Sequence, residues 1–225
     1  MLASNARWLG VPLGPFLREV GVAGSSTQLV CRSVDGMTIG ASTRAALETP
    51  DAMLAVGMNG RPLPVAHGFP VRMIIPGQYG YVSACKWLTS IEATTFGAYD
   101  AYWVREGWAP PPNAIRLASR IDTPASGQSF AAGRRPIAGV AWAQTRGIAR
   151  VEVRVDDRPW ADARLSPDTD PDVWRQWVLP YDFSPGTHRL TVRATSEDGE
   201  LQTSRRADPY PAGATGWHSV TVMAR

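Results

Sequence analysis

At 225 residues, with 44% hydrophobic and 19% charged residues and with 21 glycines and 19 prolines spread along it, the chain reads as a turn-rich globular protein with two cores rather than a disordered one. Its formal charge is only +3 and its basic residues are scattered among acids, which argues against a nucleic-acid interface. No apolar run approaches the roughly 18 residues of a membrane-crossing helix, and residues 1–7 lack the apolar core of a signal peptide.

Residues 11–20, VPLGPFLREV, open near Pro12 and set Leu13, Phe16, Leu17 and Val20 at helical spacing, with Gly21 at the stop position. This pattern predicts a short amphipathic helix. From 27 to 100 the apolar runs shorten, and QLVCRSV, AMLAVGM, VRMIIPG and YGYVSACKWLTSIEATTF read as strands. Thr43 to Leu47 predicts a second short helix, and Asn59-Gly60 is the strongest hairpin turn. Between 105 and 135 Pro and Gly accumulate, in WAPPPN and PASGQ, as in a connector, and the boundary between two packed units falls near residue 113. Beyond it IRLASRI, IAGVAWA, ARVEVRVD, WRQWVLPYDF, HRLTVRATS and GWHSVTVMA recur at fairly regular intervals. In RVEVRVD, Val151, Val153 and Val155 face one side while Glu152, Arg154 and Asp156 face the other. Such strands predict a seven-stranded, antiparallel Ig-like sandwich.

Cys31 and Cys85 show no CxxC or Cys/His metal spacing and read as small buried apolar residues. Every basic residue except Lys86 is arginine, so this one ammonium either fits a tight anion site or is a chance survivor. Residues 58–88, MNGRPLPVAHGFPVRMIIPGQYGYVSACKWL, gather His67, Arg72 and Lys86 among Gly- and Pro-rich turns whose free N–H groups can cradle a phosphorylated ligand. Small residues at Ser83 and Ala84 permit close backbone approach. A solvated His, an ion-paired Arg and a turn-rich hairpin are the other reading of the same residues. There is no GxSxG, Walker loop, HExxH, or GxGxxG followed by a helix. His188 reads as a strand-edge residue, and Asp168, Asp170 and Asp172 lack the Gly and distal Glu of a calcium loop.

In these segments the chain resembles the C-terminal part of a bacterial member of the sulfite-oxidase family of molybdopterin oxidoreductases. HGFPVR, the following PG, and KWL, preceded by MNGRPLP, are similar to that family's pterin-binding part. NARWLGVPL is similar to the segment after its metal-ligand loop, and VAWA, VEVRVDDRPW, WRQW and ATGWHSVTV to its dimerisation domain. The fold implied is a mixed α+β, partial sulfite-oxidase-type molybdopterin domain over 1–113, followed by an all-β Ig-like sandwich over 114–225. The resemblance implies Mo-molybdopterin as cofactor, with His67 and Arg72 on the pterin phosphate and Ala84, Cys85 and Lys86 lining it. It also implies a homodimer through the C-terminal domain and a small oxyanion or oxide as substrate, and it names no electron acceptor. Arg175, in WRQW, matches a family arginine that reaches toward the anionic substrate pocket; stacking and ion pairing within a strand explain it equally. His218 matches a position of domain packing. In two respects the chain departs from the family. The molybdenum-ligating Cys belongs upstream of the segment matching NARW, where this chain has not yet begun, and Met37 stands near the position of a substrate tyrosine. Full-length relatives are often exported or membrane-tethered. The alternative is a non-catalytic interaction protein that dimerises through its Ig-like domain and keeps a degenerate cofactor domain.

Overall fold

The computed structural model describes residues 5–167 and 170–225, so Asp168 of the aspartate-rich loop lies outside it. The chain divides between Ile115 and Arg116 into two compact units. Strand accounts for 45% of the chain and helix for 11%, so the protein is mostly β, and among the described residues its short helices all lie in the first unit.

The first unit runs β1 (Trp8–Pro12), α1 (Leu13–Glu19), β2 (Gln28–Ser33), β3 (Thr38–Ser42), α2 (Thr43–Glu48), β4 (Met53–Met58), β5 (Arg61–Pro62), a 3-10 turn (Val65–His67), β6 (Arg72–Ile74), α3 (Gly80–Ser83), β7 (Ala84–Cys85), β8 (Leu88–Thr94) and α4 (Tyr102–Arg105). One sheet has the order β1-β4-β6-β7 with β5 attached to β4; the other has the order β3-β2-β8. Leu13 and Leu17 of α1, Ala46 of α2, Leu29, Cys31, Ile39 and Ala41 of the smaller sheet, and Met73 and Cys85 of the larger one form a single buried cluster. Each large apolar side chain so buried contributes roughly 1.5–3 kcal/mol.

The helix expected over 11–20 begins only at Leu13, because residues 8–12 pair antiparallel with β4. Pro12, which has no N–H to give a ladder, is accommodated because β1 is a sheet edge. Asn59 and Gly60 both have positive φ, 53° and 76°, and join β4 to β5 in the tight turn that the sequence announces. The strand expected through YGYVSACKWL is interrupted by the single turn of α3. There the Ser83 hydroxyl donates back to the carbonyls of Gln78 and Tyr79 at 3.2 and 3.0 Å and keeps the chain coiled.

The second unit contains β9 (Ala118–Thr123), β10 (Ser129–Phe130), β11 (Gly133–Trp142), β12 (Ile148–Val155), β13 (Ala161–Asp162), β14 (Arg164–Leu165), β15 (Arg175–Phe183), β16 (Gly186–Ser196) and β17 (His218–Ala224). These form two sheets, β10-β17-β16-β12-β13 and β14-β15-β11-β9. Between them lies one core, to which Val151, Val153 and Val155 contribute from one sheet and Ile121, Ile137, Trp177 and Phe183 from the other. Phe130 and Tyr181 meet Phe183 edge-on, with ring centroids 5.1 and 4.8 Å away. The segment 124–128, expected to be part of a connector, is instead the turn between β9 and β10, inside this unit. Among the described residues no helix is long and apolar enough to cross a membrane.

Candidate active site

The 3-10 turn at Val65–His67 is held by side chains from two neighbouring segments. Trp87 Nε1 donates to the carbonyl of Val65 at 2.7 Å, Lys86 Nζ to that of Ala66 at 3.3 Å, and Arg72 Nη1 to that of His67 at 3.2 Å. The turn closes on Gly68, which is buried and has φ +110°. A Cβ there would sit 3.1 Å from Arg72 Cβ and from both Cα and Cβ of Lys86, so only glycine lets the segments approach. Antiparallel pairing of Met73 with Cys85 and of Ile74 with Ala84, carried one rung further, sets Arg72 beside Lys86. The structure thus gathers His67, Arg72, Ala84, Cys85 and Lys86 into one region of the first unit.

Arg72 is half-buried and stacks over the Trp8 ring at 4.9 Å. Burial lowers its pKa, and its Nε is a buried donor with no hydrogen-bond partner. A desolvated guanidinium with an unused donor stabilises an incoming anion more than a solvated one does. The lone lysine lies 4.3 Å from the ring of Trp87, a residue with φ +49°. That left-handed backbone is rare for a bulky side chain and is a mark of functional sites.

Next to this cradle a cavity of about 500 Å³ opens, with Ala84, Cys85, Lys86 and Trp87 on one wall. Tyr81, Trp103 and Trp108 form an aromatic wall, and Asp35 and Met37 line it from the turn between β2 and β3. Tyr81 packs against Trp108 at 5.3 Å and donates from its hydroxyl to the carbonyl of Ala109 at 2.9 Å, which fixes the ring. Asp35 is held below the usual carboxylate range, chiefly by the backbone N–H of Met37, which donates to its Oδ1 at 3.1 Å. Burial, reinforced by the charge of Asp35, pushes the Cys85 thiol up to about 11, and burial raises Cys31 further still. Neither is a thiolate at neutral pH. No group of three or more His, Cys, Asp or Glu among the described residues could hold a metal ion.

The sequence reading missed the aromatic wall and Asp35. Its signal was YWVREGW at 102–108, two tryptophans five residues apart around the one-turn α4. Arg175 belongs to the second unit. There its guanidinium donates to the carbonyls of Ser166 at 3.1 Å and Ile148 at 2.6 Å and pairs with Glu197 at 3.7 Å. In the same unit His218 Nδ1 accepts from the backbone N–H of Ile121 at 3.1 Å, and burial lowers its pKa.

Comparison with known proteins adds family evidence to this geometry. The family described as oxidoreductase molybdopterin binding domain matches residues 1–103. Mitochondrial sulfite oxidase of Homo sapiens is 30% identical over 97% of this chain and 46% of its own length. Sulfite oxidase of Gallus gallus is 28% identical over 96% of this chain and 54% of its own. The chain therefore spans about half the length of the curated relatives it matches. Among solved structures, the sulfane dehydrogenase SoxCD from Paracoccus pantotrophus superposes with a TM-score of 0.77 at 24% identity, covering 96% of this chain and 60% of that one. At that identity the match speaks for the fold.

Proposed function

The chain belongs to the sulfite-oxidase family of molybdopterin oxidoreductases, and from that premise we propose that the cradle around Gly68 binds the phosphate of molybdopterin. The cofactor that membership implies is Mo-molybdopterin, which when bound supplies oxygen-atom or two-electron transfer to a small substrate. The observation that carries the assignment is the buried, unpartnered Nε of Arg72 beside the only lysine of the chain. A phosphate dianion leaving water needs such donors, and the glycine turn lets the segments that carry them come together. His67 adds a third donor at the rim, while Ala84 and Cys85 present small side chains that let the ligand lie against backbone.

In this reading Arg72 and Lys86 neutralise the phosphate, the Val65–His67 turn fixes both cations, and the wall of Tyr81, Trp87, Trp103 and Trp108 excludes water from the reacting end. A small oxyanion such as the sulfite named for the relatives is the proposed substrate class. For Arg175 we infer an architectural role, since its described contacts run to main-chain carbonyls and Glu197. We read the second unit as an Ig-like sandwich, supported by its two sheets and alternating core, and assign to it a homodimer contact of isologous type. The non-catalytic reading is not favoured, since the family match falls on the first unit itself.

The test is the pterin and molybdenum content of the chain purified from a host that makes molybdopterin, read by pterin fluorescence and plasma mass spectrometry. His67→Ala, Arg72→Met and Lys86→Ala each lower the pterin content. Equal content in all three variants and the parent sinks the assignment. Sedimentation equilibrium at twice the chain mass supports the dimer, and a monomer overturns it.

A further inference from the structure

We propose that the second unit carries an anion-binding pocket of its own, built on Arg154, Arg189 and Arg206, for a sulfate- or phosphate-class oxyanion or its ester. It shares no residue with the pterin cradle and stands independently of it.

The pocket is a cavity of about 600 Å³ on the face of the five-stranded sheet that turns away from the core. Its floor follows from register. Arg154 of β12 lies opposite Thr191 of β16, and Thr191 lies opposite Ser219 of β17. Side chains alternate along a strand, so this row occupies the face opposite Val153, Val155, Leu190, Val192 and Val220, all of which are buried in the core. The wall is the excursion between β16 and β17, which brings Ser204, Arg206, Asp208 and Trp217 over the floor.

That excursion is built rather than loose. Gln202 is 2% exposed, and its side chain accepts from the N–H of Ala194 at 3.1 Å and the hydroxyl of Ser119 at 2.7 Å while donating to the carbonyl of Gly216 at 2.8 Å. Trp217 Nε1 donates to the carbonyl of Gln202 at 2.9 Å, and Ala207 bridges Thr215. The pocket wall is therefore tied to the sheet core at both of its ends.

Charge is what singles this cavity out. Three arginines line it against one carboxylate, Asp208. Among the described residues none of the three makes an ion pair, and the Nε of Arg154 is buried without a hydrogen-bond partner. Its neighbour Arg193 shows the ordinary arrangement. Both stack on Trp160, at 4.9 and 4.3 Å, yet Arg193 is neutralised by a two-pronged contact to Glu152 at 2.8 and 3.0 Å. A partly desolvated cation without a counter-ion is costly, and a tetrahedral oxyanion meets the guanidinium fork with matching geometry. The hydroxyl of Ser204 adds a neutral donor, and the cavity exceeds the size of an inorganic oxyanion, leaving space for an ester group beside Trp217.

The test is isothermal titration of the full chain with sodium sulfate and, separately, sodium phosphate, at ionic strength held constant with sodium chloride. Saturable binding of either anion is expected and persists in Arg72→Met, whose cradle lacks its donor, and the tighter of the two anions identifies the class of ligand. Arg154→Gln and Arg206→Gln each weaken it by about tenfold or more, the worth of one charge-assisted hydrogen bond. Arg134→Gln, on the other sheet, leaves it unchanged, and unaltered circular dichroism shows that the variants fold. No saturable heat from either anion, parental affinity in both pocket variants, or an equal loss in Arg134→Gln overturns the proposal.

Discussion

Arg72 bends back over five residues to donate to the main-chain oxygen of His67 at 3.2 Å, and in doing so leaves its Nε buried and unused. A guanidinium fixed by one prong and open on another is preorganised, because the entropy of ordering its long side chain is already spent before a ligand arrives.

Gly68→Ala tests whether the cradle depends on close approach. The new methyl carbon would lie 3.1 Å from Lys86 Cα at a φ of +110°, and neither the backbone nor the neighbour can yield cheaply. A loss of about 1–3 kcal/mol in chemical unfolding is expected, together with reduced pterin content. Parental stability and content would contradict the geometry described.

The two free thiols should be inert in the folded chain. Cys31 and Cys85 are buried, and burial raises both above the ordinary thiol range. A disulfide-exchange dye at neutral pH is expected to react with neither until denaturant is added, when both titrate. Rapid native labelling of Cys85 would mean that the β6–β7 pairing opens.

Glu152 depends on Arg193. The carboxylate side chain is 5% exposed and its partner 20%. Arg193→Ala leaves the buried carboxylate only the more exposed Arg150, 3.3 Å away, and should cost about 1–3 kcal/mol in urea unfolding, whereas replacing both Glu152 and Arg193 by Leu and Met should recover most of the loss. A smaller penalty for the single variant than for the double one refutes this.

His188 gives the second unit a pH dependence. Burial opposes its charged form, but hydrogen bonds to the Ser184 carbonyl and the Asp156 carboxylate outweigh burial and raise its pKa. A raised folded value means that the contribution is full below the ordinary histidine pKa of about 6.5 and is lost as pH climbs through the folded value. The urea midpoint of the parent should therefore approach that of His188→Gln as pH rises from below about 6.5 through the raised folded value. A constant gap would show that the pair does not titrate as described.

Much of this was legible in the sequence where a residue type has one strong local use. Asn59-Gly60 could scarcely be anything but a tight turn, and the alternation of Val151, Val153 and Val155 marks a core-facing strand whose valines are at most 3% exposed. Glu152 lies on the opposite face, as the alternation expects, yet is only 4% exposed, because the Arg193 guanidinium of the neighbouring strand closes over its carboxylate. Coverage by a residue about forty positions away has no local signature. Period misled at residues 11 and 12, where pairing with β4 overrode the helical spacing. In the candidate site, His67, Arg72 and Lys86 were readable as cations among turns. The aromatic wall was not, since Tyr81, Trp103 and Trp108 converge only once α3 and α4 are placed.

Three indoles, those of Trp87, Trp103 and Trp108, border the cavity of the first unit, whereas Trp177 is sealed at 2% exposure in the core of the second. The protein thereby carries its own optical gauge. A conjugated ring system entering the cavity should quench these three indoles by energy transfer, so occupancy becomes an intensity change in unlabelled protein.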